Sequence, residues 1–162
     1  MQFVAERRQI RKFIHCSDRR LIDSNVGDIC FAEISINYEA KLAIRTVYFH
    51  PNVCQVDKVM ILYSALMKYS PLSAQINRDF PVDIDVSMLI GGDFKTEITS
   101  NTRLTRYMGD TFNLPYIRND APTTIYNTTI DFVFARNLNV TLNTYLSYFS
   151  YHKSVLSKVT LK

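Results

Sequence analysis

Apolar and polar residues alternate most regularly over residues 29–36. Cys30, Ala32, Ile34 and Ile36 interleave with Phe31, Glu33 and Ser35. Successive side chains of an extended chain point to opposite faces, so this period predicts a strand with one buried face. Asn25-Val26-Gly27-Asp28 precedes it as a turn, and Asn37-Tyr38-Glu39-Ala40 follows as a hairpin connection. Residues 42–49 are apolar and β-branched and read as a second strand paired with the first. His50-Pro51-Asn52 ends it, because proline cannot donate to a ladder. Upstream, residues 8–16 mix apolar and basic side chains and fit a strand, though their period is ambiguous.

The period then changes. Val56, Val59, Met60, Tyr63, Leu66 and Met67 fall at helical spacing on one face, and Pro71 closes that helix. Residues 70–85 are polar, carry Pro71 and Pro81, and read as a loop. Val86 to Ile90 is a short buried strand, ended by the turn Gly91-Gly92 and followed by Asp93-Phe94-Lys95. Leu104, Tyr107, Met108 and Phe112 predict an amphipathic helix over 102–112, which Pro115 keeps from resuming. Strands follow at 123–126 and 129–134, flanking the hairpin-like Asn127-Thr128, then at 140–149 and 155–161 around the loop Ser150-Tyr151-His152-Lys153. Hairpins of strands with two helices between them predict an α+β fold: antiparallel sheets with helices outside. Without a repeat, linker or low-complexity tract, residues 1–162 read as one domain.

Composition narrows the class. Ten Tyr, ten Phe and only four Gly exclude a disordered chain, and no apolar run approaches the ~18 residues of a membrane span. Residues 1–12 lack the apolar segment of a signal peptide, which predicts an intracellular protein, nuclear or cytoplasmic. On that reading the Asn-x-Thr sequences at Asn127 and Asn139 are chance matches. Cys16, Cys30 and Cys54 are odd in number with no Cys-x-x-Cys, so buried reduced thiols are expected rather than zinc or disulfides. A net charge of +4 suits a phosphate-bearing partner.

Four residues stand out chemically. Asp93 follows a buried strand, where a carboxylate is held rigidly yet meets solvent. Asp131 lies in the apolar run Ile130-Asp131-Phe132-Val133-Phe134 and needs a partner if buried, or a solvated strand face if not. His152 sits in a loop between strands; a carboxylate can fix its tautomer and leave its other nitrogen for a phosphate. Tyr48 ends a strand, a position that also suits core or rim.

Their order carries a resemblance. Thr46-Val47-Tyr48-Phe49-His50-Pro51-Asn52 resembles the T-x-Y-x-(x)-P-N strand of the endonuclease/exonuclease/phosphatase family. Ile90-Gly91-Gly92-Asp93-Phe94 resembles its G-D-F-N motif, Thr129 to Phe134 its x-I-D-x-I-F strand, and Tyr148-Phe149-Ser150-Tyr151-His152 its terminal S-D-H. Residues 25–33, 123–131 and 148–153 are similar to segments of the branch carried by Helitron-like and other arthropod mobile elements. The resemblance spans roughly residues 20–160. It implies a four-layer α/β sandwich, two packed mixed sheets with outer helices, and Mg²⁺- or Mn²⁺-dependent cleavage of phosphodiesters, here in DNA. It also implies roles: Asp93 activates water, Tyr48 contacts the scissile phosphate, and His152, held by Asp131, stabilises developing charge, with Asn52 and Lys95 at the substrate.

The sequence also departs from the pattern. Lys95 replaces the motif asparagine and Tyr151 the aspartate of S-D-H. The family's metal-binding glutamate and first-strand asparagine belong upstream of the matching segments; Glu33 is not their equivalent. An N-terminally truncated domain is therefore expected, with no metal ligand assigned, and with sheet edges covered by an oligomer or partner. Impaired activity is one consequence. The alternatives are a non-catalytic remnant acting as a DNA- or protein-binding module, or an unrelated α+β binding domain.

Overall fold

The computed structural model describes residues 14–36, 40–76, 82–98 and 102–161. Its strands are β1 Ile14–Ile22, β2 Gly27–Ile36, β3 Ala40–Phe49, β4 Ser87–Asp93, β5 Asp131–Arg136, β6 Leu138–Tyr145 and β7 Ser154–Leu161. Its helices are α1 Gln55–Leu66, α2 Pro71–Ile76 and α3 Thr102–Phe112, with a 3-10 turn at Met67–Tyr69.

Five strands form one mixed sheet in the order β1-β2-β3-β4-β5. All neighbours are antiparallel except β3 and β4. A parallel pair needs a long crossover, and α1 with α2 supplies it. β6 and β7 form a separate antiparallel ribbon. The sheet buries both faces. On one, Val47, Phe49, Met88, Ile90, Phe132 and Phe134 pack with Ile61, Leu62 and Leu66 of α1 and Leu104, Met108 and Phe112 of α3. On the other, Leu42, Leu89, Val133 and Ala135 meet Leu138 and Val155 of the ribbon. β4 is therefore buried on both sides along Met88–Gly92, which is why its sequence is an unbroken apolar run rather than an alternation. The α+β class holds, as helices, sheet and ribbon in three layers among the described residues.

Several expectations change. The strand expected at 8–16 is described only from Ile14 and runs on to Ile22; residues 37–39 of the predicted hairpin connection lie outside the described residues, between antiparallel strands. α1 turns a shifted face inward: Leu66 is buried as expected, but Lys58, Ile61 and Leu62 are buried too, while Val56 and Met60 are exposed. The helix is apolar nearly all round, so spacing alone did not select its inner side. Residues 70–85 are not all loop, because Pro71 begins α2 instead of only ending α1; proline suits the first turn, whose N–H groups have no partner in the helix. Gly91 and Gly92 lie within β4, not in a turn beyond it. Residues 123–126 are no strand: Thr123 and Thr124 donate their N–H groups to Thr128 O, folding the segment into a tight loop. β6 ends at Tyr145, short of residue 149. Cys30 and Cys54 are exposed rather than buried; Cys54 caps α1 through Asp57. α3 keeps its predicted limits but stops before Pro115, at Asn113 with φ 53°, where the N–H of Leu114 reaches Met108 O.

Arg136 ties the helical layer to the sheet. Its guanidinium donates to the carbonyls of Val86, Tyr69, Phe112 and Asp83 at 3.0–3.2 Å. Burial pulls its pKa below the usual arginine value, against the opposing charges of Asp83 and Asp85. Arg136→Met strips these carbonyls of a common donor, and the expected loss is about 3 kcal/mol of unfolding free energy. Urea melts of both proteins check it; an unchanged midpoint contradicts it.

Candidate functional site

The sheet register sets three polar side chains in a row. Tyr48 on β3 pairs with Asp93 on β4, and Asp93 pairs with Asp131 on β5. Each lies at or next to an end of its strand, at one edge of the buried sheet. Two glycines allow β3 to be gripped from both sides here. A Cβ on Gly92, at φ 156°, would lie 1.8 Å from Val47 O, and one on Gly27 2.1 Å from Tyr48 O. Glycine at position 92 is thus required by close backbone approach, not by a turn.

His152 comes from the far end of the chain. The 123–128 loop fixes it through backbone bonds: Ile125 N–H donates to Tyr151 O at 2.9 Å, and Lys153 N–H to Thr123 O at 2.7 Å. The Thr123 hydroxyl accepts the N–H groups of Ile130 and Asp131, both at 3.1 Å. The same loop therefore orients both Asp131 and the imidazole. His152 Nδ1 lies 2.9 Å from Asp131 Oδ2, and its Nε2 lies 3.4 Å from Asp93 Oδ2. Burial raises the pKa of Asp131 above the usual carboxylate value, with the His152 and Thr123 hydrogen bonds working against that rise.

The turn after Asp93 is clamped. Asp93 Oδ1 accepts the N–H of Lys95 at 3.0 Å. Lys58, buried on α1, donates to Phe94 O, Lys95 O and the Thr96 hydroxyl at 2.9–3.2 Å. Burial lowers its pKa, and the nearby Asp93 opposes this. Asp93 Oδ2 meets the ammonium of Lys95 at 2.6 Å. Lys95 Nζ also lies 3.1 Å from the Tyr151 hydroxyl.

A cleft of about 640 Å³ opens over this row, lined by Tyr48, Asp93, Lys95, Asp131, Tyr151 and His152 among others. Five of the six sequence candidates, Tyr48, Asp93, Lys95, Asp131 and His152, come together there. Asn52 does not: it is exposed in the turn after β3, at φ 66°, outside the cleft lining. Asp93, Asp131 and His152 each offer a ligand atom within 4.8 Å of the others and form a candidate metal-holding group. Sequence reasoning missed Lys58 and Thr123. Lys58 carried a faint signal, a lysine one helical turn before the buried Ile61 and Leu62; Thr123 had none, since its role depends on the loop.

No family model and no curated protein sequence matches this chain. Solved structures do match in fold. An endonuclease/exonuclease/phosphatase family protein from Leptotrichia buccalis C-1013-b superposes with TM-score 0.66 at 11% identity, over 91% of this chain and 62% of its own. A family protein from Bacteroides thetaiotaomicron gives TM-score 0.60 at 8% identity, over 94% and 66%. Truncated TDP2 from Caenorhabditis elegans gives 0.56 at 12%, over 89% and 65%. The chain has the fold of these proteins and spans less than two thirds of the length of each.

Two expectations follow from the geometry. Gly92→Ala drives a methyl group into Val47 O and lowers stability by about 3 kcal/mol, read as a shift in the denaturation midpoint. In a carbon-13 titration, the Asp131 carboxyl ionises above 3.8, and His152→Ala moves it higher still, because the hydrogen bond that favoured the carboxylate is gone. A lower midpoint in the variant contradicts the pairing.

Proposed function

We propose that this chain is a phosphodiester-hydrolysing domain of the endonuclease/exonuclease/phosphatase type, acting on DNA. The observation that carries the reading is the convergence of Tyr48, Asp93 and Asp131 in one row with His152 closing it. The fold of the three solved structures supports it. The 25–33, 123–131 and 148–153 segments support an origin in a mobile element of the Helitron-like kind. We read residues 1–162 as one domain of this type, whose helices, sheet and ribbon form three layers of a four-layer sandwich.

In this reading Asp93 orients a water molecule and accepts its proton as the water oxygen bonds to phosphorus and the ester P–O bond breaks. Tyr48, at the cleft rim, contacts a phosphate oxygen. His152 donates from Nε2 to the anionic phosphate as charge develops, and Asp131 on Nδ1 holds the ring in that orientation. The two carboxylates suit a hard divalent ion in donor type. Asp93 and Asp131 would hold Mg²⁺ or Mn²⁺ through carboxylate oxygens, leaving His152 Nε2 for the phosphate; when bound, the ion would neutralise phosphate charge.

Plasmid nicking tests the proposal. Cleavage is expected with Mg²⁺ or Mn²⁺ and not with chelator, with Asp93→Ala abolishing it and His152→Ala lowering it by roughly a hundredfold or more. Absence of cleavage by the wild-type chain with either ion sinks the catalytic reading. The non-catalytic DNA-binding module, which the Lys95–Asp93 ion pair favours, then takes its place.

A further inference from the structure

The ammonium of Lys95 sits on a carboxylate oxygen of Asp93, a member of the candidate metal group. Its Nζ is 2.6 Å from Asp93 Oδ2, and the two side chains are only 15% and 13% exposed. The Tyr151 hydroxyl is a second partner at 3.1 Å. The ring of Tyr48 lies 5.6 Å from the ammonium. Electron-rich ring faces attract a cation, so three residues, Asp93, Tyr151 and Tyr48, converge on one charge. The backbone that carries it is anchored, with Lys95 at φ 48° and its carbonyl held by Lys58. Burial disfavours the charge, but Asp93 and Tyr151 outweigh it and raise the pKa of Lys95.

We propose that Lys95 is the resident counter-cation of the cleft: it occupies at Asp93 the position a divalent ion would take, so the ion pair and metal binding exclude each other. Two cations cannot share Oδ2 at contact distance in a half-dry cleft without strong repulsion. Any metal that binds must first displace the ammonium, and Lys95 thereby sets the metal affinity of the site. The inference concerns the same cleft as the proposed activity and rests on that reading only for its catalytic consequence.

Direct Mn²⁺ binding to the full chain, followed by the loss of the free-ion electron paramagnetic resonance signal, tests it without turnover. Lys95→Gln and Lys95→Met are neutral, and circular dichroism shows which of them fold. A folded neutral variant is expected to bind Mn²⁺ roughly tenfold or more tightly than the wild type, a size typical of coupling between two binding events. Lys95→Arg keeps the charge and is expected to stay weak. Adding Asp93→Asn to the neutral variant is expected to erase the gain. Equal affinity in wild type and a folded neutral variant overturns the inference, as does a gain that survives Asp93→Asn. If neither neutral variant folds, raising the salt replaces mutation as the means of weakening the ion pair, and Mn²⁺ affinity falling as steeply in wild type as in Asp93→Asn, which lacks the pair, overturns it. Nicking assays run beside the binding separate the two claims. Wild-type nicking without any gain in metal affinity keeps the function and discards the counter-cation; a gain in affinity without nicking by any variant does the reverse.

Discussion

The close approach of β3 and β4 at Gly92 is the constraint on which the site depends. The carbonyl of Val47 occupies the space where any side chain at position 92 would begin. That approach lets the parallel pair stay in register to its last residues, where Tyr48 stands opposite Asp93. β5 then adds Asp131 opposite Asp93 on the other side. Three residues separated by 45 and 38 positions of chain become neighbours through strand pairing alone, because pairing fixes spacing to within a few ångströms.

Around this row the protein holds buried cations largely with neutral oxygens, although Arg45 also lies 3.7 Å from Glu33 Oε1. Arg136 is held by four carbonyls, Lys58 by two carbonyls and a hydroxyl, and Arg45 by the carbonyls of Ala32 and Ile44 together with the Tyr69 hydroxyl. Carbonyl dipoles at segment ends have partners to spare, and a planar or tetrahedral cation can gather several at once. The result is a set of cross-links between segments that ordinary apolar packing would leave free to slide. Arg136 links the ends of α3 and the 3-10 turn to β5; Lys58 links α1 to the turn that carries Asp93 and Lys95. The Tyr69 hydroxyl, also bonded to Glu33 at 2.8 Å, has its pKa raised to about 12, chiefly by burial.

Much of this was legible in the chain and some was not. The alternation at 29–36, the apolar run at 86–90 and the amphipathic 102–112 segment each gave an element of the right type, because each is governed by local period and propensity. α1 failed on its face rather than its existence: Val56 and Met60 are as apolar as Ile61 and Leu62, and only the sheet beneath decides which pair is covered. The 123–128 loop failed on type. Its threonines favour strands, yet their hydroxyls satisfy backbone donors locally, so Thr124 and Thr128 bond each other at 2.7 Å and the chain turns. Gly91 and Gly92 read as a turn because glycine usually marks one, whereas here the second glycine answers a neighbour 45 positions away.

The sequence by itself determined the α+β class, the order of its strongest elements and the candidate residues Tyr48, Asp93, Asp131 and His152, since residue type and period are local properties. Only the tertiary structure decided that these four share one cleft while Asn52 stands outside it, that Asp131 lies on His152 rather than in solvent, and that Lys95 turns its charge onto Asp93. Those outcomes depend on strand register and on loops meeting from opposite ends of the chain. Neither leaves a signature in the spacing of residues along the sequence, because pairing energies are realised between segments and not within them.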